Sequence, residues 1–209
     1  MTDLQIIPAI LTGDVVVAKQ QAQLIEGLVA RVQIDIIDGV FAKNKTIRVE
    51  DIDRLATSAI IDAHLMVKNP ASFLNRCDGV GVGRVYAQVE MMKSQAEFVD
   101  QASSLGMGVG LALDLYTPVS AITDMLPHLD GVLLMSVQAG FQGQSFSELV
   151  FKKIHELRDG FFGDICVDGG LDTGAIALCR DEGANHFGVG SAIWKAKDIK
   201  EKLKELRGN

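Results

Sequence analysis

The chain has few cysteines and no cluster of cysteine and histidine at metal-binding spacing. Only three of its 209 residues are cysteine, namely Cys77, Cys166 and Cys179, and they lie far apart in the sequence. An odd number of widely spaced cysteines argues against a disulfide framework or a cysteine-rich zinc site. We therefore expect reduced, mostly buried thiols in a cytoplasmic protein.

Long apolar runs and positive charge are also scarce. No apolar run approaches the roughly 18 residues that span a bilayer, and no basic segment precedes an apolar stretch at the N-terminus. Lys and Arg number 20 against 27 Asp and Glu, which gives a formal net charge of −7. Nucleic acids and anionic membranes attract basic surfaces, so neither is expected as a partner.

Linkers are missing as well, because no stretch is rich in proline, serine or glycine and the whole chain has four prolines. Its hydrophobic fraction of 48% and charged fraction of 22% are ordinary for a folded chain. A barrel of alternating strands and helices runs to about 200 residues or more as one domain. We expect residues 1–209 to form a single domain.

Eight short apolar runs, typical of buried strands, alternate with longer amphipathic segments. The runs start about 26 residues apart, which leaves room for a loop and a helix between strands and so favours parallel neighbours. The pattern predicts an α/β protein, a closed (β/α)8 (TIM) barrel, with a doubly wound open sheet as the alternative. The predicted strands are 5–11, 32–37, 60–67, 84–89, 107–113, 131–136, 164–167 and 186–189, and the predicted helices are 15–28, 94–105, 145–158, 173–182 and 198–207.

Polar side chains stand where these strands end, which is where a (β/α)8 barrel carries its chemistry. Asp35 lies among isoleucines, where a carboxylate is costly unless it is paired, bound to metal or used. Gln33 shares its face of the strand. His64 and Asp168 end other strands, although a core histidine and a turn aspartate are alternative interpretations. Asp38 precedes a glycine and is interpreted as a turn residue.

Glycines cluster at three strand ends, in segments 140–145, 169–170 and 188–191. Glycine lets backbone N–H groups approach an anion closely, and the loops after strands 7 and 8 are the usual phosphate site of such barrels. Each pair alone is equally compatible with a tight turn, but three at strand ends favour a phosphate site.

Six segments, taken together and in order, carry a family resemblance. They are IPAIL at 7–11, QIDIIDG at 33–39, DAHLMV at 62–67, MSVQAGFQGQSF at 135–146, VDGG at 167–170 and GSAI at 190–193. Along nearly its whole length the chain resembles the ribulose-phosphate 3-epimerase family. The resemblance implies a barrel enzyme that inverts C3 of a ketose phosphate, most directly D-ribulose 5-phosphate to D-xylulose 5-phosphate of the pentose phosphate pathway. It also implies a homo-oligomer.

The resemblance further implies how the site works. Asp35 and Asp168 match the family's acid–base pair, which acts through an enediolate. With His64 and Gln33 they also match the positions that hold a divalent metal ion, zinc, iron or manganese. The positions that match residues lining the site are Met66, Met135 and Ser136, and those that match substrate and phosphate contacts are Gly140, Phe141, Gln142, Gly143, Gln144, Gly169, Gly170, Gly190 and Ser191.

Several positions depart from the family pattern. Gln33 replaces a ligand histidine and is a neutral, weaker ligand for zinc-like ions, so metal affinity is expected to be lower. Ala9 stands where the family has a serine, and Gln88 where a histidine is usual. These losses motivate one alternative, a non-catalytic phosphosugar binder or sensor. A second alternative, a related decarboxylase or aldolase, would have lysine at Ile37 in an Asp-x-Lys-x-x-Asp pattern.

Overall fold

Eight parallel strands close into a barrel in the computed structural model, which describes residues 4–141 and 143–208. Each strand pairs with the next along the chain, and the last pairs with the first. The closed barrel is therefore confirmed, and the open-sheet alternative is wrong. The strands are β1 (Gln5–Ile10), β2 (Arg31–Ile37), β3 (Ile60–Met66), β4 (Arg84–Gln88), β5 (Gly108–Leu113), β6 (Gly131–Met135), β7 (Asp164–Asp168) and β8 (His186–Val189).

Helices surround the barrel and complete a single (β/α)8 domain. Short 3-10 helices at Val49–Leu55, Val119–Ala121 and Thr123–His128 stand in for α-helices after β2 and β5. Buried aliphatic side chains fill the layer between the strands and this outer shell. The α-helices of the described residues are α1 (Val15–Leu24), α2 (Leu74–Gly79), α3 (Gln95–Ser104), α4 (Leu149–Arg158), α5 (Thr173–Asp181), α6 (Ser191–Trp194) and α7 (Ile199–Arg207).

The helix predicted at 145–158 begins four residues late, at Leu149. The backbone N–H of Ser147 donates to the carbonyl of Ser136 at 3.0 Å, just beyond the end of β6. The segment is thus tied to the end of β6, and its backbone groups are not available for a helical turn.

The amino-terminal end of the barrel is closed by ion pairs. Arg31 Nε donates to the buried Asp62 at 2.9 Å, and Arg84 Nη1 donates to Asp164 Oδ2 at the same distance. Arg84 Nη1 also donates to the buried Tyr86 hydroxyl at 2.9 Å. Charged groups occupy the amino-terminal end of the barrel. The open pocket lies at the opposite end, where the strands have their carboxyl ends.

The three cysteines are buried and free, as the sequence predicts. Burial raises the pKa of Cys77 and of Cys179 to about 12, so both are uncharged thiols at neutral pH.

Among the residues that the structure covers, no helix has both the length and the apolar character needed to cross a bilayer.

Candidate active site

Strand register brings three of the predicted side chains to one point. Asp35 on β2 is paired with His64 on β3, and Asp168 ends β7. His64 Nδ1 lies 3.2 Å from Asp35 Oδ1 and 3.7 Å from Asp168 Oδ2. One donor atom from each of the three residues lies within 4.8 Å of the others. All three face a pocket at the carboxyl ends of the strands.

Asp168 lies beside a second carboxylate, that of Asp35, in a largely buried site. Burial, and then the negative charge of Asp35, raise the pKa of Asp168 to about 7. Burial lowers the pKa of His64, but the hydrogen bond to Asp35 and the charges of both aspartates more than offset this, so the pKa is raised overall. The pair therefore retains a proton near neutral pH, which is the state that acid–base chemistry at pH 7 requires.

Gln33 joins the two aspartates. Its amide nitrogen, Nε2, donates to Asp35 Oδ1 at 2.8 Å and also donates to Asp168 Oδ2. The side chain is almost fully buried. In this orientation Gln33 is a donor to both carboxylates, and its part as an oxygen ligand of a metal stays a prediction.

Gly188 on β8 makes the room for this arrangement. A Cβ atom at this position would lie 2.9 Å from Gln33 Oε1 and 3.2 Å from a carboxylate oxygen of Asp168. Any side chain here would push the amide or the carboxylate out of place. The sequence analysis placed Gly188 in a glycine segment expected to bind phosphate, but it did not predict this contact with Gln33 and Asp168.

A second glutamine, Gln88 at the end of β4, contacts the other side of the imidazole. Its Nε2 lies 3.2 Å from His64 Nε2, and both side chains are fully buried. His64 is thus held between Asp35 and Gln88 and cannot rotate freely.

Glycine loops after β6, β7 and β8 complete the pocket. Gly170, with φ of +61°, lies so close to the β6 loop that a Cβ atom would come within 2.6 Å of the backbone nitrogen of Phe146. Among the predicted site residues, those that line the pocket are Asp35, His64, Met66, Met135, Gly140, Phe141, Gly143, Gln144, Asp168, Gly169, Gly170, Gly190 and Ser191. Gly188, from the predicted glycine segment 188–191, also lines it, as do four residues not predicted from the sequence, namely Leu11, Val137, Leu171 and Ala192.

Two predicted residues shape the loops through contacts with their backbone. Gln144 Nε2 donates to the carbonyls of Gln138 at 2.7 Å and Phe141 at 3.0 Å, which holds the β6 loop closed. Ser136 is fully buried, and its hydroxyl donates to the Asp168 carbonyl at 3.0 Å and to that of Gly169. Ser136 thus holds the end of β7 and the start of its glycine loop in place without lining the pocket itself. Gln142 lies outside the described residues.

Asp38 is a turn residue, as predicted. Its Oδ1 accepts from the backbone N–H groups of Val40 at 2.8 Å and Phe41 at 3.0 Å. Its Oδ2 accepts from the N–H of Lys68 at 2.8 Å, so Asp38 also links the loops after β2 and β3. These hydrogen bonds lower the pKa of Asp38, although burial opposes them.

The donor set fits a divalent cation in part. An imidazole nitrogen and two carboxylates within 4.8 Å suit zinc, iron or manganese, and three protein ligands with an open position are typical of catalytic sites. Gln33 would be a fourth ligand only if its amide turned over. Asp35, His64 and Asp168 are therefore the residues that could hold a metal ion.

The fold and the position of the pocket define the class of protein, an enzyme of the (β/α)8-barrel type. The family model of the "Ribulose-phosphate 3 epimerase family" matches residues 5–194. The chain belongs to the ribulose-phosphate 3-epimerase family, and it is an epimerase that acts on carbohydrates.

Curated relatives match over nearly the whole chain. The ribulose-phosphate 3-epimerase of Aquifex aeolicus (strain VF5) is 33% identical, with 96% of this chain and 94% of the relative covered. The ribulose-phosphate 3-epimerase of Bacillus subtilis (strain 168) is 30% identical, with 99% of both covered. Such full-length coverage means that the alignment spans every strand and loop described above.

Solved structures confirm the fold. The crystal structure of KGPDC from Streptococcus mutans has a TM-score of 0.78 with 13% identity, covering 98% of this chain and 96% of that one. A mutant tryptophan synthase alpha-subunit from Pyrococcus furiosus has a TM-score of 0.74 with 16% identity and full coverage of both chains. At these identities the likeness concerns the barrel alone.

Proposed function

We propose that the chain interconverts D-ribulose 5-phosphate and D-xylulose 5-phosphate by moving the proton on C3. The observation that carries the proposal is the pair Asp35 and Asp168, whose carboxylates face one pocket within 4.8 Å and share a hydrogen-bond donor in Gln33. Inversion next to a ketone needs one group that removes a proton and a second that returns one from the opposite face. β2 and β7 supply these groups from different sides of the barrel mouth.

The protonation state of the two aspartates suits this reaction. One carboxylate removes the C3 proton, which leaves an enediolate, and the protonated partner delivers a proton to the other face. The raised pKa of Asp168, about 7, keeps a carboxylic acid beside a carboxylate near neutral pH. In the reverse direction the two groups exchange roles. Met66 and Met135 line the pocket and make it less accessible to water.

A divalent cation held by Asp35, His64 and Asp168 would supply Lewis-acid stabilisation of the enediolate oxygens. Gln33 Nε2 donates hydrogen bonds to both aspartates, and His64 Nδ1 lies beside Asp35, so these two side chains position the carboxylates.

The ester end of the substrate is assigned to the glycine loops after β6, β7 and β8. Three loops converge on one side of the pocket, and backbone N–H groups in such loops are good partners for a phosphate dianion. α6 starts at Ser191 directly after the β8 loop, as the short extra helix of such phosphate sites does.

The proposal is tested by incubation of the protein with ribulose 5-phosphate in deuterated water, with zinc, manganese or iron added in parallel samples. Proton NMR of the recovered sugar should show deuterium at C3 and formation of xylulose 5-phosphate. Folded protein that yields neither product with any of the three metals would disprove this substrate. Other ketose phosphates, tested in the same way, would then identify the one that fits.

The phosphate assignment predicts that Gly170→Ala damages substrate binding. The added methyl group would lie 2.6 Å from the Phe146 nitrogen and 2.7 Å from the Gln144 carbonyl oxygen, so the loops after β6 and β7 must separate. We expect kcat/KM to fall by about 10²-fold, the size of effect that a misplaced binding group has. Inhibition by inorganic phosphate should weaken in parallel.

Gly27→Ala is the matched control for this change. Gly27 has a φ of +71°, similar to that of Gly170, but an added Cβ meets nothing within 4 Å. It therefore carries the same backbone strain without the collision. Equal kcat/KM values for the two variants would show that the contact between the loops does not matter for the phosphate.

The alternative decarboxylase or aldolase is not favoured, because Ile37 is a buried side chain and supplies no cation. The homo-oligomer remains part of the proposal. Phe162, in the loop before β7, is 91% exposed and is a candidate for a contact between copies. Trp194, a further candidate for such a contact, is partly buried, and its indole N–H donates to the Ala9 carbonyl at 2.7 Å.

A further inference from the structure

A carboxylate just beyond the end of β5 holds part of the β6 loop in place. Asp114 follows β5 directly, and its Oδ1 accepts from the backbone N–H groups of Ala139 and Leu115, each at 2.9 Å. Ala139 immediately precedes Gly140, the first glycine of the β6 loop, which lines the active-site pocket. Asp114 is not itself among the residues that line this pocket. Any influence of Asp114 on the pocket therefore passes through the loop.

Asp114 is held in turn by two charged side chains from other elements. Glu90 Oε1, after β4, accepts from the Asp114 N–H at 2.8 Å and from the Thr117 hydroxyl at 2.6 Å. Lys153 on α4 is only 8% exposed, and its Nζ donates to the Asp114 carbonyl at 2.6 Å. Burial lowers the pKa of Lys153, and the negative charges of Asp114 and Glu90 oppose this effect. One network thus links α4 with the loops after β4, β5 and β6.

The β2 loop makes a second contact with the same part of the β6 loop. A Cβ atom at Gly140 would collide with the Cβ of Ala42, so the two loops approach more closely than a side chain would allow. Ala139 and Gly140 are therefore fixed by contacts with two different neighbouring loops.

The negative charge of Asp114 does not favour a phosphate group bound to this loop. Like charges repel, so a carboxylate close to a bound anion weakens binding unless a cation compensates it. Lys153 supplies a compensating charge where its Nζ contacts Asp114. What remains favourable for phosphate binding is the acceptor oxygen of Asp114, which fixes the Ala139 peptide.

We propose that Asp114 is a positioning residue for the phosphate group of the substrate. Its carboxylate oxygen holds the Ala139–Gly140 segment in the position in which the β6 loop binds the phosphate, and Asp114 does not touch the substrate itself. The inference rests on the proposed function in assigning the phosphate to the loops after β6, β7 and β8.

Titration with inorganic phosphate, followed by calorimetry, tests this role without turnover. Asp114→Ala removes the acceptor, and the affinity for phosphate should fall about 10-fold, the cost of losing one hydrogen bond to a charged group. Asp114→Asn removes the charge but keeps an oxygen that can accept from both N–H groups. Its affinity should equal or exceed that of the parent protein. If Asp114 acted through its charge alone, both variants would bind phosphate more tightly.

Steady-state kinetics with ribulose 5-phosphate give a second readout. In Asp114→Ala we expect KM to rise about 10-fold while kcat changes little, because Asp35 and Asp168 lie on other strands and keep their places. Asp114→Asn should restore the KM of the parent protein.

The matched control is Asp130→Ala, at the opposite end of the barrel. Asp130 Oδ2 accepts from the backbone N–H of Val109 at 2.7 Å, so this variant loses the same kind of contact. It should lower Tm without changing the affinity for phosphate. Equal phosphate affinity in Asp114→Ala and the parent protein would overturn the inference, and so would an equal loss in Asp114→Asn and Asp114→Ala. If Asp114→Ala fails to fold, Asp114→Ser, whose shorter side chain does not reach Ala139, decides on the same criteria.

The outcome is separable from that of the proposed reaction. If phosphate affinity depends on Gly170, as tested with Gly170→Ala, but not on Asp114, only this inference is wrong. A protein whose phosphate affinity depends on both residues but that inverts no ketose phosphate would disprove the reaction and leave the role of Asp114 intact. A parent protein that binds no phosphate would overturn both the phosphate assignment and this inference.

Discussion

Asp35→Asn and Asp168→Asn are each expected to slow inversion at C3 by about 10²- to 10⁴-fold, the usual contribution of a positioned acid or base. Each variant keeps one carboxylate, and that carboxylate faces only one side of the substrate. It can still remove and return a proton on its own side. Each variant should therefore exchange the C3 proton of one epimer with deuterium without inverting it, and the two variants should differ in which epimer they label.

Deuterium incorporation from ribulose 5-phosphate and from xylulose 5-phosphate, measured separately by NMR, checks this expectation. Asp124→Asn, an exposed aspartate in the 3-10 helix after β5, is the matched control and should retain full activity. Inversion at the parent rate in either site variant would contradict the two-carboxylate mechanism. Labelling of the same epimer by both variants would place the two aspartates on one face of the sugar.

Asp168→Asn should also make the metal-free protein more stable at neutral pH. The pKa of Asp168 is about 7 in the folded state against an ordinary 3.8. Between these values the folded chain holds a proton that the unfolded chain has released, so the free energy of unfolding falls as pH rises. Above pH 7 the penalty is constant and amounts to at most about 4 kcal/mol.

Asparagine cannot ionise, so the variant escapes this penalty. Below pH 4 parent and variant should be similar, and the variant's advantage should grow from pH 4 to 7 and then level off. We expect a gain on the order of 1 to 3 kcal/mol at pH 8, or about 2 to 4 °C in Tm for each kcal/mol in a chain of this length. Denaturant titrations with a chelator at several pH values measure it. A variant less stable than the parent at pH 8 would show that the charge of Asp168 is fully compensated in the fold.

These two results together would show that the arrangement needed for the reaction destabilises the folded protein electrostatically. Two buried carboxylates repel each other, and the loss of one is expected to relieve the fold while it removes the reaction. Gln33 and His64 reduce the repulsion but do not cancel it, because the pKa of Asp168 stays high in spite of both contacts.

The barrel was predictable from the sequence because its strands are buried on both faces. The run 131–136, for example, has four apolar residues in succession, as parallel strands often do. The spacing of the runs favoured parallel neighbours, and the structure decided between the closed barrel and the open sheet. The start of one helix was predicted wrongly, at residue 145 where the structure has Leu149. The first turn predicted at 145–148 is replaced by a link from Ser147 to the end of β6, a tertiary contact that local periodicity does not encode.

The position of the site was predictable for a related reason. Asp168 ends its strand and Asp35 and His64 each lie two residues before the carboxyl end of theirs, and closure of a parallel barrel brings all such ends to one rim. Their meeting within 4.8 Å follows from register, which pairs Asp35 directly with His64.

The direction of side-chain amides was not predictable. Gln33 was expected to present an oxygen to a metal, and it presents its nitrogen to two carboxylates. Gln144 was expected at the phosphate, and its amide nitrogen is used on the loop carbonyls of Gln138 and Phe141. Both orientations depend on neighbours that are distant in sequence, and the same residue type would serve either purpose.

Ion pairs between Arg31 and Asp62 and between Arg84 and Asp164 occupy the amino-terminal end of the barrel, and the pocket opens at the other end. Because the amino-terminal end of the barrel is blocked, a sugar is expected to enter and leave through this one opening of the pocket. The two epimers are therefore expected to bind in the same pocket, and one can bind only after the other has dissociated. Accumulated product should slow the forward reaction as a simple competitor, with no intermediate in which both sugars are bound.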